Sequence, residues 1–452
     1  QNQKRLERGA KAMKRFRVWM LCIFTAALLA FAAAASAEET TIVASGTCGK
    51  SDSGSLSDNL TWTLDSDGLL TISGEGEMYD ATYDTSAPWS SYKDQIKSVK
   101  IEEGVTSVGR FAFDGCINLR DVDLPLSLTK ISKHAFSGCA DLTQIDLPAG
   151  VTNIDGAAFG DCTGLKQINL PESVTSIGVW VFKGCTSLEQ IELPEGVTDI
   201  GSSTFKGCTS LTQIKLPEGI TVVAWDLFNG CTSLKQVELP ESVTIIGPGA
   251  FENCTSLTQI KLPTGVTDIQ GAAFEGCTSL TQIDLPESVT SIGGSAFSGC
   301  TGLKQISLPV NITDIGSCVF ENCTSLTQID LPAGITSLEG FLFYNCTNLK
   351  SVEIPSGVTS IGKCTFSGCS NLTQVELPMG ITSVGERAFE GCTSLKQIEL
   401  PTGVKSIASY AFYNCANLTW IGLPEGITDI GEGAFYNCKS LKQIEIPEGV
   451  TS

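Results

Sequence analysis

Cysteine is the residue with the clearest potential for chemistry in this chain, because fifteen copies recur at a fixed spacing of 23 residues. They are Cys116, Cys139, Cys162, Cys185, Cys208, Cys231, Cys254, Cys277, Cys300, Cys323, Cys346, Cys369, Cys392, Cys415 and Cys438. Thiols can bind metals, act as nucleophiles or form disulfides. If the repeats stack as coils, equivalent cysteines lie about 4.8 Å apart with parallel Cα–Cβ bonds, a geometry that does not suit a disulfide. No histidine recurs with them and no Cys-x-x-Cys is present. We therefore expect a buried column of reduced thiols and no metal site.

Four further cysteines lie outside this column, and one of them, Cys22, belongs to the N-terminal segment that is predicted below to be a signal peptide. Cys318 and Cys364 share a second repeat position but are two coils apart. That separation is about 10 Å, which is too far for a disulfide. Cys48 has no obvious partner.

Acid–base chemistry has few candidates. The chain has a single histidine, His134, at a variable repeat position where we expect an exposed side chain. Carboxylates recur on a predicted strand at Asp146, Glu192, Glu238, Asp284, Asp330, Glu376, Glu399 and Glu445. A coil spacing of about 5 Å matches the carboxylate pair of a retaining glycosidase. A flat exposed row, however, provides neither a pocket nor the unequal burial that such a pair requires. We expect no catalytic residue, no cofactor and no enzyme activity.

The unit that positions these residues consists of two short strands and a tight bend. In the unit that begins at Cys139, residues 142–147 alternate apolar and polar side chains, which predicts a strand with one buried face. Pro148 ends this strand because it has no amide hydrogen. Residues 151–154 form a second extended run, and residues 158–162 predict one turn of helix with a buried Phe. A lone coil cannot bury these apolar positions, so the pattern predicts a repeat solenoid with short strands and tight helical turns.

This unit resembles the leucine-rich repeat. The run L-x-x-I-x-L-P matches the opening of that signature, and V-T-x-I-G followed by A-F-x-x-C is similar to the BspA-type subclass of bacterial surface proteins. The resemblance covers residues 93–452. Within residues 38–92, G-T-C-G, L-T-W-T-L and A-P-W resemble a front module that often precedes such repeats in secreted proteins of gut bacteria. The resemblance implies a leucine-rich-repeat horseshoe and an extracellular protein, with adhesion to host or neighbouring-cell molecules among the roles of the family.

The first 37 residues are typical of a targeting segment. From Met13 they run through basic residues, an apolar stretch of 17 residues and a small-x-small motif. We expect residues 1–37 to comprise upstream residues and a secretory signal peptide cleaved after Ala37. An uncleaved membrane anchor is the alternative, because 17 apolar residues lie near the lower limit for a membrane span.

The remainder divides into a cap and the repeats. Residues 38–92 predict a β-rich N-terminal cap, with a hairpin turn at residues 65–68 and with Trp62 and Trp89 in its core. Residues 93–452 predict about 15 coils. The last unit begins at Cys438 and contains fewer residues than the others, so we expect the solenoid to be truncated at its C-terminus.

Charge limits the classes of partner. The formal net charge is −20, and because residues 1–37 carry +6, the remainder carries −26. Such a surface repels nucleic acid and anionic membranes. We expect an extracellular protein or glycan ligand, no nucleic acid, and no membrane insertion of the mature chain.

The outward strand positions supply the candidate binding residues. One outward column is almost entirely Gln, and the other is mostly acidic but is interrupted by two lysines. Trp420 replaces Gln in the first column and is a candidate anchor, and three tyrosines depart from the consensus in the turn segments. The candidates are Trp420, Gln397, Gln443, Lys215, Lys261, Tyr410, Tyr413 and Tyr436. Alternatively, the Gln column is structural, because identical amides can bond along a stack.

The sequence favours a secreted or surface-displayed, non-catalytic binding or adhesion module. Two hypotheses compete with this one. The first is a structural spacer or cell-envelope layer without a specific ligand. The second is the repeat part of a larger surface enzyme whose catalytic domain is missing. A column of threonines in V-T-x-I is a weaker candidate for an ice- or crystal-binding array, because outward Thr needs no special role in a strand.

Overall fold

A small antiparallel unit leads into the repeats in the computed structural model, which describes residues 40–451. β1 (Ile42–Lys50), β2 (Leu56–Asp65) and β3 (Leu69–Gly74) form two antiparallel pairs, which confirms the hairpin predicted at residues 65–68. β3 pairs in parallel with the first strand of the repeats, and β4 (Gly76–Glu77) pairs with the second. A 3₁₀ helix, Ser90–Gln95, joins the two parts. The predicted signal peptide lies outside the described residues, and the predicted domain boundaries stay predictions.

The repeats form a β-solenoid of about 14 turns, in which parallel pairing of equivalent strands builds two ladders. Ladder A contains β5 (Ser98–Ile101), β7 (Asp121–Asp123), β9 (Gln144–Asp146), β11 (Gln167–Asn169), β14 (Gln213–Lys215), β16 (Gln236–Glu238), β21 (Gln328–Asp330), β22 (Ser351–Glu353), β24 (Gln374–Glu376), β26 (Gln397–Glu399) and β28 (Trp420–Gly422). Ladder B contains β6 (Val105–Val108), β8 (Lys130–Ile131), β10 (Asn153–Ile154), β12 (Ser176–Ile177), β13 (Asp199–Ile200), β15 (Val222–Val223), β17 (Ile245–Ile246), β18 (Asp268–Ile269), β19 (Ser291–Ile292), β20 (Asp314–Ile315), β23 (Ser360–Ile361), β25 (Ser383–Val384), β27 (Ser406–Ile407) and β29 (Asp429–Ile430). The constant repeat length keeps equivalent residues in register, as in the pairing of Gln144 with Gln167.

Phenylalanine forms the centre of the solenoid. The rings from Phe113 to Phe435 stack one on the next, with centroids 5.1–5.9 Å apart. Trp89 extends this column into the cap, 5.6 Å from Phe113. Both Trp89 and Trp62 are buried, as predicted. Each ring is covered by the rings of the neighbouring turns, so the core exists only in the stack.

The cysteine column packs beside the phenylalanines and adds hydrogen bonds. Each thiol from Cys139 to Cys438 donates to the carbonyl oxygen of the Phe in the preceding turn, with sulfur–oxygen distances of 3.0–3.3 Å. The 18 cysteines among the described residues are all free, and the fifteen of the column are buried. Burial raises the pKa of Cys116 and Cys231 to about 12, which disfavours the reactive thiolate. The predicted column of buried, reduced thiols is confirmed.

Two left-handed residues in each turn replace the helical bend that the sequence predicts. The residue five positions before each column Cys has φ between 54° and 62°, including His134 and Trp180. The residue directly before the Cys is also left-handed and is mostly Gly or Asn, the types that adopt this conformation most readily. Only three residues separate the two, fewer than one α-helical turn requires. The predicted helical turns are therefore hydrogen-bonded turns, and the 3₁₀ segment is the one helix within residues 40–451.

Candidate functional site

Two outward columns cover the exposed face of ladder A, as the sequence predicts. In a typical strand such as β9, the first and third residues are exposed and the middle one is buried. Where the Gln amides bond, they donate to the acid two residues further on, as Gln236 does to Glu238 at 3.1 Å and Gln374 to Glu376 at 2.8 Å. No Gln–Gln bond joins neighbouring turns within the described part of the chain. Bonding of identical amides along the stack is therefore not found among the described residues, and Gln236, Gln282 and Gln374 bond along their own strands instead.

Trp420 interrupts this face with an exposed indole. It pairs with Gln397 between β28 and β26, and 49% of its surface is exposed. Two residues further on, Gly422 stands where most turns have an acidic residue. A Cβ added to Gly422 would lie 2.7 Å from Cη2 of Trp420. The indole therefore lies over the Gly422 backbone, and glycine leaves the room that this position requires.

A shallow cavity of about 460 Å³, here called the Trp cleft, borders this indole. The side chains that line it include Gln374, Glu376, Met379, Gln397, Glu399, Thr402 and Trp420. On the same face, the cavity between Gln282 and Asp330 measures about 250 Å³ and the one between Ser98 and Asp146 measures about 360 Å³. Met379 is 71% exposed, and neither Glu376 nor Glu399 forms an ion pair within residues 40–451. The cleft combines apolar surface with unneutralised carboxylates.

The two predicted lysines lie elsewhere on the same face and are paired within the molecule. Lys215 Nζ lies 2.8 Å from Glu195 Oε1, and Lys261 Nζ lies 3.5 Å from Glu241 Oε1. The hydrogen bond from Lys215 lowers the pKa of the Glu195 carboxyl. A second cavity of about 360 Å³, here called the Lys cleft, is lined by residues that include Lys215, Glu195 and Glu238. Each of the two lysines therefore forms an ion pair with a glutamate of the preceding turn.

The three predicted tyrosines form a separate cluster, away from the lining of the Trp cleft. Tyr413 stacks on Tyr436 with ring centroids 5.5 Å apart, and Tyr410 meets Tyr413 edge-on at 5.8 Å. Cζ of Arg387 lies 4.9 Å from the centroid of the Tyr410 ring. Tyr410 Oη also donates to Glu432 at 2.9 Å.

Gln443, the remaining candidate, is exposed but lies in no strand. The candidates therefore divide into five places: the Trp cleft with Trp420 and Gln397, the two separate lysines, the tyrosine cluster and Gln443.

Sequence reasoning missed two contributors to the Trp cleft. Met379 occupies a turn position that carries Glu in many other repeats, including Glu195 and Glu241. Gly422 is the one glycine in the acidic column. A comparison of the repeats position by position, over several successive turns at once, would have found that both departures lie near Trp420.

Other chemistry has little support in the described residues. His134 is half-buried and stacks on Phe111 at 4.8 Å, so the expectation of an exposed side chain is wrong. Burial lowers its pKa. Across residues 40–451, no cluster of His, Cys, Asp and Glu could hold a metal ion. A search of the same residues for a helix of membrane-spanning length and apolarity found none.

Comparisons with known proteins agree with this architecture. A family model described as a BspA type leucine rich repeat region matches residues 90–209, 180–304, 268–378 and 359–452. A leucine-rich repeat protein from Bacteroides ovatus has a similar structure, with a TM-score of 0.67 and 32% identity over 87% of this chain and 94% of that one. Another from Eubacterium ventriosum has a TM-score of 0.50 and 27% identity over 90% of this chain and 98% of that one. A comparison with curated proteins gives no match. The predicted leucine-rich-repeat solenoid is confirmed.

Proposed function

We propose that this chain, which belongs to the BspA-type leucine-rich-repeat family, is a non-catalytic binding module that holds an extracellular protein or glycan on the exposed face of ladder A. The observation that carries the proposal is the Trp cleft, where an exposed indole that replaces a glutamine borders a cavity of about 460 Å³. Exposed aromatic residues in concave sites are frequent anchors of protein interfaces.

We also propose that the protein acts at the cell surface or after secretion. Proteins of this family are typically surface-located or secreted, which supports that location. The spacer hypothesis explains a regular face, but it assigns no role to an exposed indole with a glycine beside it. For this reason the binding module is the better-supported function.

The test is to probe a glycan array and a panel of extracellular proteins with the full chain and with Trp420→Gln. Gln occupies this position in most other turns, so the variant should fold. We expect affinity for the captured ligand to fall about tenfold or more, as for a central aromatic anchor.

Trp225→Ser is the matched control. Trp225 is 61% exposed and lies outside the Trp cleft, and Ser stands at the same repeat position in other turns, for example at Ser317. Equal losses in both variants would contradict a site at Trp420. A chain that captures no ligand at all would favour the spacer.

A further inference from the structure

We infer that the partner of the Trp cleft is a basic peptide segment, with a Lys or Arg side chain placed over the Trp420 indole and beside Glu376 and Glu399. This inference rests on the proposed function and adds the chemical class of the ligand.

Charge is the first argument. Glu353, Glu376 and Glu399 occupy the acidic column in three successive turns, and Glu353 pairs in register with Glu376. None of them forms an ion pair within the described residues. Like charges at neighbouring strand positions repel each other, and a cation between them relieves that repulsion. Among the described residues that line the cleft there is no Lys or Arg.

The apolar surface is the second argument. An exposed indole face attracts a cation, and Lys and Arg also carry an aliphatic stem that packs on apolar surface. Met379 supplies such a surface in the same cleft as the carboxylates, and a thioether adapts to the shape of a partner. A cationic side chain therefore uses both kinds of group in the cleft, whereas a neutral group leaves the carboxylates unneutralised.

The molecule contains an internal example of this arrangement. Arg387 lies over the ring of Tyr410, with 4.9 Å from Cζ to the ring centroid. The same guanidinium pairs with Glu386 at 3.5 Å and Glu390 at 3.0 Å. An aromatic ring and two glutamates thus hold one cation here. The Trp cleft has a ring and two glutamates but no cation of its own.

A second copy of this chain is a poor occupant. Its formal net charge of −20 opposes self-association, while the same charge attracts a basic segment over longer distances. The partner is therefore a protein with an accessible lysine- or arginine-rich stretch.

The experiment measures fluorescence anisotropy of a labelled octapeptide of alternating glycine and lysine, its arginine version and its glutamine version, titrated with the full chain. The lysine and arginine peptides should bind and the glutamine peptide should not, and added salt should weaken binding. The double variant Glu376→Gln/Glu399→Gln should weaken binding about tenfold, and Trp420→Gln by a similar factor. The control Glu192→Gln/Glu238→Gln removes the same charge from the Lys cleft and should change affinity by less than about twofold.

The outcomes separate the two proposals. If both double variants weaken binding equally, attraction is general and the inference is overturned. If basic peptides fail to bind while a protein or glycan from the array still depends on Trp420, the inference is wrong and the proposed function stands. If array binding does not depend on Trp420, the proposed function fails, whatever the peptides do.

Discussion

The Trp cleft and the Lys cleft lie on the same face of ladder A, yet their departures from the repeat have opposite consequences. In the Lys cleft, Lys215 replaces an acidic residue, and Glu195 in the preceding turn neutralises it at 2.8 Å. In the Trp cleft, the turn positions equivalent to Glu195 hold Met379 and Thr402, neither of which carries a charge. One cleft therefore contains an ion pair beside two unpaired glutamates, Glu192 and Glu238, whereas the other has two unpaired glutamates, exposed apolar surface and no cation among the described residues.

This difference shows how to find a site in a nearly uniform array. When a residue of the neighbouring turn pairs with the charge of a substituted residue, the substitution adds no unpaired charge to the surface. A substitution whose neighbours change to make room for it, as Gly422 does for Trp420, leaves exposed apolar surface that a partner can cover. Departures are informative when they occur together in space.

The largest expected effect would test whether the two clefts share one scaffold. Phe205 and Phe412 lie in the turns that carry β14 and β28, and both rings are fully buried between neighbouring rings. Phe205→Ala and Phe412→Ala should each lower the free energy of unfolding by about 3–5 kcal/mol, because each leaves a cavity in the core. Urea denaturation measures both. A loss confined to one variant would mean that the clefts differ in their cores as well as on their surfaces.

An intermediate effect is expected from Gly422→Glu, which restores the acidic column beside the indole. The new Cβ would lie 2.7 Å from the Trp420 ring, so the indole must move. We expect a shift of the Trp420 indole N–H resonance and a loss of ligand affinity similar to that of Trp420→Gln. Unfolding free energy should change by less than about 1 kcal/mol, because the position is at the surface.

Ser307→Glu is the control for this variant, since it places Glu in the same column over a regular turn. An unchanged indole resonance in Gly422→Glu would show that the ring does not depend on the glycine.

The smallest effect is expected at the Lys cleft. The hydrogen bond from Lys215 holds the pKa of the Glu195 carboxyl below its ordinary value. A lowered carboxyl pKa stabilises the fold above the ordinary pKa of Glu, and that contribution is lost as the pH falls through the lowered value. Lys215→Gln should raise the Glu195 pKa toward its ordinary value, as followed by a carbon NMR titration.

Both side chains are exposed, so the melting temperature at neutral pH should not change measurably. Lys166→Gln removes the same charge from a lysine without an ion pair in residues 40–451 and should leave the Glu195 pKa unchanged. If the Glu195 pKa were the same in Lys215→Gln as in the unmodified chain, the ion pair would not form in solution.

Most of the fold follows from the sequence because the repeat constrains every position many times. The spacing of Cys and Phe predicts the stack, and the alternation of residues 142–147 predicts which side chains of the strand are buried. The coil spacing and the parallel Cα–Cβ bonds of the column cysteines predict free thiols. The prediction of a helical bend was wrong because the repeat period does not reveal the backbone φ angles. The Gly and Asn residues before each Cys suggest one left-handed position, whereas the other accepts residues as different as Phe111 and Arg387.

The sequence by itself determined the solenoid, the buried thiols and the outward columns, because these depend on residue type and period alone. Only the tertiary structure decided which departures from the repeat meet in one cleft. That outcome depends on side chains from different turns, such as Met379 and Trp420, which come together across the stack. It also depends on local packing, since the indole can lie over the chain only where Gly422 leaves room. The repeat period places residues in columns. Distances between side chains decide whether charges are paired and apolar surface is covered within the molecule.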